Sequence, residues 1–253
     1  MKRVLTALVG IPLVLIATRY SPDWLFAGFI GIFAALCLEE LLMMGATRLG
    51  TRPGRWVLIL AAVVTTSFIG GAAWVLTTLT LAMLVAITVI GLGGPMESSL
   101  PKLGLVGLGL GYCAVLLGFI VILPREAIFV LFGIIWAGDS AAYYTGRALG
   151  RHKLAPHISP KKTVEGAIGG LAASVIAGIL MGQWLLGESI GMLAIVSFSC
   201  AIAGQVGDLA ESALKRSAGV KDSSAILPGH GGMLDRLDSL LFAAPVFYLL
   251  FNI

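Results

Sequence analysis

The residues most able to do chemistry gather in two polar stretches of an otherwise apolar chain. The richer stretch runs from Asp208 to Asp238. Asp208, Glu211, Ser212 and Lys215 recur at i, i+3, i+4 and i+7, so a helix carries them on one face. Asp235 and Asp238 are also three apart, where the last apolar run begins. Carboxylates this close to a bilayer repel one another unless a cation stands between them. A few oxygen ligands suit Mg²⁺, which commonly bridges to substrate phosphates. No His/Cys spacing argues for zinc. Between the two acidic sets lies Pro228-Gly229-His230-Gly231-Gly232, a tight loop whose backbone can approach a ligand closely. It leads into the helix that carries Asp235, so exposed N–H groups and a helix start favour an anion there. His230 either donates to a phosphate or orders the loop.

The other stretch begins at Gly138-Asp139-Ser140. Asp139 falls inside an apolar helix with Tyr143 one turn on, and a carboxylate there is costly. It reads as a functional group or as an anchor between helices. Ser159-Pro160-Lys161-Lys162-Thr163 follows. Pro160 biases Ser159 to an extended or turning backbone, and Thr163 is placed to cap the next helix. Two ammonium groups, a hydroxyl and free helix N–H groups can hold phosphate. The same residues also suit a cytoplasmic anchor or anionic headgroups, and local chemistry leaves both readings open. Together the stretches carry what phosphoryl or nucleotidyl transfer needs, where positioning and charge neutralisation do most of the catalysis. Walker A and Rossmann glycine patterns are both missing from the sequence.

Membrane helices must position these groups. The chain has 253 residues, 58% hydrophobic and 12% charged, with mean hydropathy +0.99. Soluble domains average about 45–50% apolar and about 25% charged. The expected fold class is all-α, a polytopic integral membrane protein with about nine spans; a span takes roughly 17–25 residues, and the short first and last runs call for tilting or local thinning of the bilayer. The candidates are 4–18, 24–44, 56–71, 74–92, 103–123, 126–146, 165–186, 190–207 and 239–252, with a turn at Gly70-Gly71. A cytoplasmic N-terminus then puts all of the 17 basic residues except Arg19 and Arg125 on one side. The formal charge of +4 is thus explained by topology, with no nucleic acid as partner. Lys2 and Arg3 before an apolar run resemble the start of a signal peptide, but Thr18-Arg19-Tyr20 suits no cleavage, and a retained first helix is expected. Cys37, Cys113 and Cys200 stand alone in apolar runs and read as small buried hydrophobes. The chain reads as one membrane-embedded domain, 1–253, with N-terminal helices in 1–123 and a catalytic half in 124–253.

One known family matches these residues. Ser212-Ala-Leu-Lys215-Arg216, then Lys221-Asp222, then Leu227-Pro228-Gly229-His230-Gly231-Gly232-Met-Leu-Asp235-Arg236-Leu-Asp238 resembles the signature of the phosphatidate cytidylyltransferases, also called CDP-diacylglycerol synthases. Gly138-Asp139-Ser140 and Ser159–Thr163 are similar to that family as well. The resemblance covers the C-terminal half, whereas the first 120 or so residues match only in being membrane helices. It implies the reaction CTP + phosphatidate → CDP-diacylglycerol + diphosphate, dependent on Mg²⁺, with a monovalent ion such as K⁺ as a second cation in some members. It also implies a homodimer with the site on the cytoplasmic side, while small size and the absence of organelle signals point to the cell inner (plasma) membrane.

On this reading Asp208, Asp235 and Asp238 hold the metal. Lys215, Arg216, Lys221 and Arg236 bind phosphates, and Ser212, Asp222, His230, Gly231 and Gly232 position the substrates. Ser159, Lys161, Lys162 and Thr163 form a second phosphate clamp. Asp139 is a further ligand or the partner of a basic residue. The rival readings are an ion-coupled transporter, a different lipid transferase such as a polyprenol kinase or a CDP-alcohol phosphotransferase, and an inactive scaffold. No inverted repeat supports the first, and the spaced acidic pattern of the CDP-alcohol enzymes is missing.

Overall fold

The computed structural model describes residues 2–226 and 231–251. Helices α1 (Lys2–Tyr20), α2 (Asp23–Leu49), α3 (Val57–Thr66) and α4 (Ala72–Leu92) come first. A continuous helical run follows, made of α5 (Met96–Gly109), a π-helical turn (Leu110–Val115) and α6 (Leu116–Ile122). Then come α7 (Arg125–Leu149), strands β1 (Lys153–Ala155) and β2 (Ser159–Thr163), α8 (Val164–Leu186), α9 (Ile190–Ser217) and α10 (Leu234–Phe251).

Among the described residues six helices are long and apolar enough to cross a membrane: α2, α4, the run from Met96 to Ile122, α7, α8 and α9. Leu8–Tyr20 and Val57–Gly70 are shorter apolar helices. Large apolar side chains such as Trp74, Leu76, Ile168 and Trp184 point outward, as lipid-facing positions do. The protein is therefore a helical, multi-pass membrane protein. The all-α expectation holds, with one local addition: the short antiparallel hairpin β1–β2, which pairs Lys153 with Thr163 and Ala155 with Ser159. The reason is local. Pro160 keeps Ser159 extended, and pairing satisfies backbone groups that a coil would leave to solvent.

The chain divides into two compact units. The first comprises Met1–Ile122 with Ser217–Arg236, and the second Leu123–Arg216 with Leu237–Ile253. The segment 217–236 thus groups with the N-terminal helices, apart from the rest of the C-terminal half.

In the first unit α2 is the central element. Phe26, Leu38, Leu41 and Leu42 on it are buried. Gly31 lies against α3, where an added Cβ would stand 3.1 Å from Thr66 and 3.2 Å from the Ala62 carbonyl. The π-helical turn disturbs the normal bonding ladder. Thr65 Oγ1 lies 3.0 Å from the Ala114 carbonyl of that turn and 2.9 Å from the Ala61 carbonyl of its own helix, and shares its proton between them. The chain reverses at Gly71, whose φ of 82° is a left-handed value that suits glycine.

In the second unit α7 and α8 pack along a stripe of small residues. The buried positions of α8 are Gly166, Gly170, Ser174, Gly178 and Gly182, spaced four apart. A Cβ on Gly170 would stand 2.9 Å from the Gly138 carbonyl and from Ala142 Cβ, so the backbones nearly touch. Ser174 Oγ donates to the Ile134 carbonyl at 2.7 Å. Inside lipid, burying apolar surface gives no net drive to associate. Close packing and hydrogen bonds of this kind supply it instead.

Candidate active site

In the second unit the geometry starts from two glycines. Gly204 and Gly207 are one helical turn apart on α9; Gly207 faces α10, and Gly204 sits between Ile135 of α7 and Ser239 of α10. A Cβ on Gly207 would stand 2.5 Å from the Asp238 carbonyl and 3.0 Å from Phe242. Their absence of side chains lets α10 lie directly against α9. Asp208 follows Gly207, and so comes beside Asp238. Asp208, Glu211 and Asp139 are the acidic groups whose charge reaches Asp238, which is itself half-buried. Asp238 Oδ1 accepts the N–H of its own neighbour, Ser239, at 2.7 Å.

Two lysines enter the same cluster. Lys162 Nζ lies 2.5 Å from Asp208 Oδ2, which brings the 159–163 segment to the end of α9. Lys215 pairs with Glu211 one turn back, and both are buried. Lys215 is thus the charge partner of a buried acid as well as a candidate phosphate ligand. Ser212 is buried between them, while Arg216 is exposed and its Nε donates to the Ile158 carbonyl at 3.3 Å. That bond ties the hairpin to α9. Thr163 caps α8 as its spacing predicts, accepting from Gly166 N at 3.1 Å. Ser159 is half-buried on β2 and Lys161 is exposed. Asp139 is exposed, and with Ser174, Gln205 and Ser239 it lines a cavity of about 20 Å³, room for roughly one water.

The first unit holds the remaining expected residues. Asp235 Oδ2 accepts from Gly232 N at 2.8 Å, from Ser223 N at 3.0 Å and lies 2.9 Å from Ser223 Oγ. Asp235 therefore closes the loop that precedes its own helix. Gly231 has φ 79°, and a Cβ on it would stand 2.6 Å from Asp235 Oδ2. Lys221, Asp222 and Arg236 are exposed. His230 lies outside the described residues.

A residue that the spacing argument passed over stands at the centre of this loop. Glu40 on α2 is fully buried. Its Oε1 accepts from Ser224 Oγ at 2.7 Å and from Met233 N at 2.8 Å. Its Oε2 accepts from Ser223 Oγ at 2.7 Å and from Leu234 N at 2.8 Å. The adjacent Glu39 pairs with Arg52 and Arg55. The signal was present in the sequence: Glu39-Glu40 sits inside an apolar helix, the same cue that marks Asp139.

The acidic cluster of the second unit fits a hard cation. Asp238 lies within electrostatic reach of three other acids, two of which already hold lysines, and carboxylate oxygen is the donor type that Mg²⁺ takes. Among the described residues no three His, Cys, Asp or Glu side chains already form a ligating group. That is compatible with Mg²⁺, which commonly takes one or two carboxylates and completes its shell with water and phosphate.

Comparison with known proteins identifies relatives of one activity. A stretch of 119 residues is 50% identical to the phosphatidate cytidylyltransferase of Brucella suis, covering 47% of this chain and 44% of that protein. The enzyme of the same name from Staphylococcus haemolyticus is 50% identical over 120 residues, 47% of this chain and 46% of the relative. That from Staphylococcus epidermidis is 46% identical over 125 residues, 48% of each. The matched stretch thus spans under half the length of each relative. The model of the cytidylyltransferase family matches residues 1–253, and the chain belongs to that family.

Proposed function

We propose that the protein transfers a cytidylyl group from CTP to phosphatidate, giving CDP-diacylglycerol and diphosphate. The observation that carries this reading is the cluster on α9 and α10, where Asp208 and Asp238 stand together beside Lys162. Membership of the cytidylyltransferase family and the activity named for the relatives support it.

In this reaction an anionic phosphate oxygen of phosphatidate attacks the α-phosphorus of CTP, and the bond to diphosphate breaks. The nucleophile is already ionised near neutral pH, so no strong general base is required. The obstacle is one anion approaching another. Bound Mg²⁺ supplies charge neutralisation and stabilises the diphosphate leaving group. Asp208 and Asp238 would hold it. The sequence signature gives Asp235 the same role, and a monovalent ion such as K⁺ belongs to the proposal as a second cation. Lys162 would turn from Asp208 to a phosphate oxygen when the metal takes the carboxylate. Lys161, Arg216, Lys221 and Arg236 offer further cations to the two substrates. Buried Ser212 and the glycine loop 229–232 position them.

The proposed topology has nine spans with the N-terminus and the 208–238 segment on the cytoplasmic side of the inner membrane. Lipid would then enter from the bilayer and CTP from the cytosol. A homodimer is proposed with it.

The deciding experiment is conversion of phosphatidate to CDP-diacylglycerol by purified protein in detergent, with and without Mg²⁺. Magnesium-dependent product establishes the reaction. Folded protein that forms no product overturns it and directs attention to other phospholipid acceptors and to transport.

A further inference from the structure

We propose that Glu40 is a positioning residue for this reaction, holding Ser223 and Ser224 together with Met233 and Leu234 from a helix outside the signature. The inference rests on the function proposed above. Three features of the first unit point to it. First, the Glu40 carboxylate takes four donors, two serine hydroxyls and two backbone amides. Four is about the full accepting capacity of a carboxylate, so this buried charge is used entirely on one loop. Second, those donors come from both ends of the loop, Ser223 and Ser224 before the glycines, Met233 and Leu234 after them. One group therefore clamps both ends of the segment. Third, the space that a side chain on Gly232 would fill is occupied by the Glu40 carboxylate and Ser223 Oγ. The glycine is thus required by the clamp itself.

The link to the chemistry runs through Ser223. Its hydroxyl lies 2.7 Å from Glu40 Oε2 and 2.9 Å from Asp235 Oδ2. Glu40 also binds the amides that open the helix bearing Asp235. A carboxylate at a helix start is favourable in its own right. Groups that orient a metal-binding residue typically affect metal affinity or activity by about 10–100-fold when removed.

Replacement by glutamine is unusually informative. Each Glu40 oxygen faces one backbone N–H, Met233 at Oε1 and Leu234 at Oε2. Whichever way a glutamine amide is turned, its NH₂ meets a donor. Glu40→Gln therefore cannot keep the clamp. Glu40→Asp keeps the charge but is one methylene short, and its effect falls between. Ser224→Ala removes one hydroxyl donor and leaves both amides bound, so it folds even if Glu40→Gln does not.

The experiment has two readouts on the purified full chain. Hydrogen exchange of the 231–235 amides reports the clamp without reference to activity. CTP and Mg²⁺ titrations report positioning. Glu40→Gln should lose protection in 231–235 and raise the Mg²⁺ concentration for half-maximal rate by about 10–100-fold. Ser224→Ala should shift both in the same direction by a few fold. A merely structural role would lower the amount of active protein and leave the Mg²⁺ and CTP dependences unchanged, which overturns the positioning role. Unchanged exchange in both variants overturns the clamp. A wild-type protein without cytidylyltransferase activity overturns the function, and the positioning role with it, while exchange still decides the clamp.

Discussion

Lys162 Nζ lies 2.5 Å from Asp208 Oδ2, so a residue of the basic segment already holds a carboxylate of the acidic cluster. Both side chains are about a third exposed, at 27% and 32%. A pair with that exposure stabilises the fold by about 1 kcal/mol or less. In the proposed reaction its value would lie in exchange: the carboxylate would be released to a cation as the ammonium is released to a phosphate.

Lys162→Met tests this exchange through two dependences that move apart. Loss of a charge-assisted bond to phosphate raises the KM for CTP by about 10-fold. Loss of the competing ammonium leaves Asp208 more negative, so the Mg²⁺ requirement stays the same or falls. Initial rates over a grid of CTP and Mg²⁺ concentrations separate the two. Equal rises in both would mean that the pair only supports the structure.

Gly207→Ala tests whether close approach of α9 and α10 places the acids. The added methyl would meet the Asp238 carbonyl, which is backbone and cannot turn aside. Overpacking of this kind costs about 1–3 kcal/mol. A shift of about 1 Å at reacting groups can lower the rate by about 100-fold. The expected result is inserted protein with turnover reduced on that order. Gly191→Ala is the control on the same helix, since nothing lies within 4 Å of its added methyl. Matching activity in the two variants would show that the contact is not needed for catalysis.

The sequence made the second unit largely legible. Asp208, Glu211, Ser212 and Lys215 follow helical spacing, and Thr163 caps where its place before the apolar run predicts. These are local patterns, and local patterns survive into the structure. The hairpin was half-visible: Pro160 marks extended backbone, but its pairing with Lys153–Ala155 depends on a second segment. Glu40 was passed over because its partners are nearly two hundred positions away, from Ser223 to Leu234. Spacing along one helix cannot report such a contact. A charged pair in an apolar helix marks that a partner exists without saying which. The same holds for Gly232. In sequence it reads as room for a ligand, whereas in the structure that room is filled by Glu40 and Ser223.

The topology can be tested with single cysteines, because Cys37, Cys113 and Cys200 are buried and give little background. Lys153 on β1 and Glu188 in the turn after α8 are exposed and lie at opposite ends of α8. With the N-terminus cytoplasmic, the basic hairpin faces the cytosol and Glu188 the other side. Lys153→Cys should resist a membrane-impermeant maleimide in intact cells and react fully once the membrane is opened. Glu188→Cys should react in both cases. The reverse pattern would put the hairpin, with Lys161 and Lys162, on the face that CTP does not reach. Labelling of both positions in intact cells would mean that α8 does not cross.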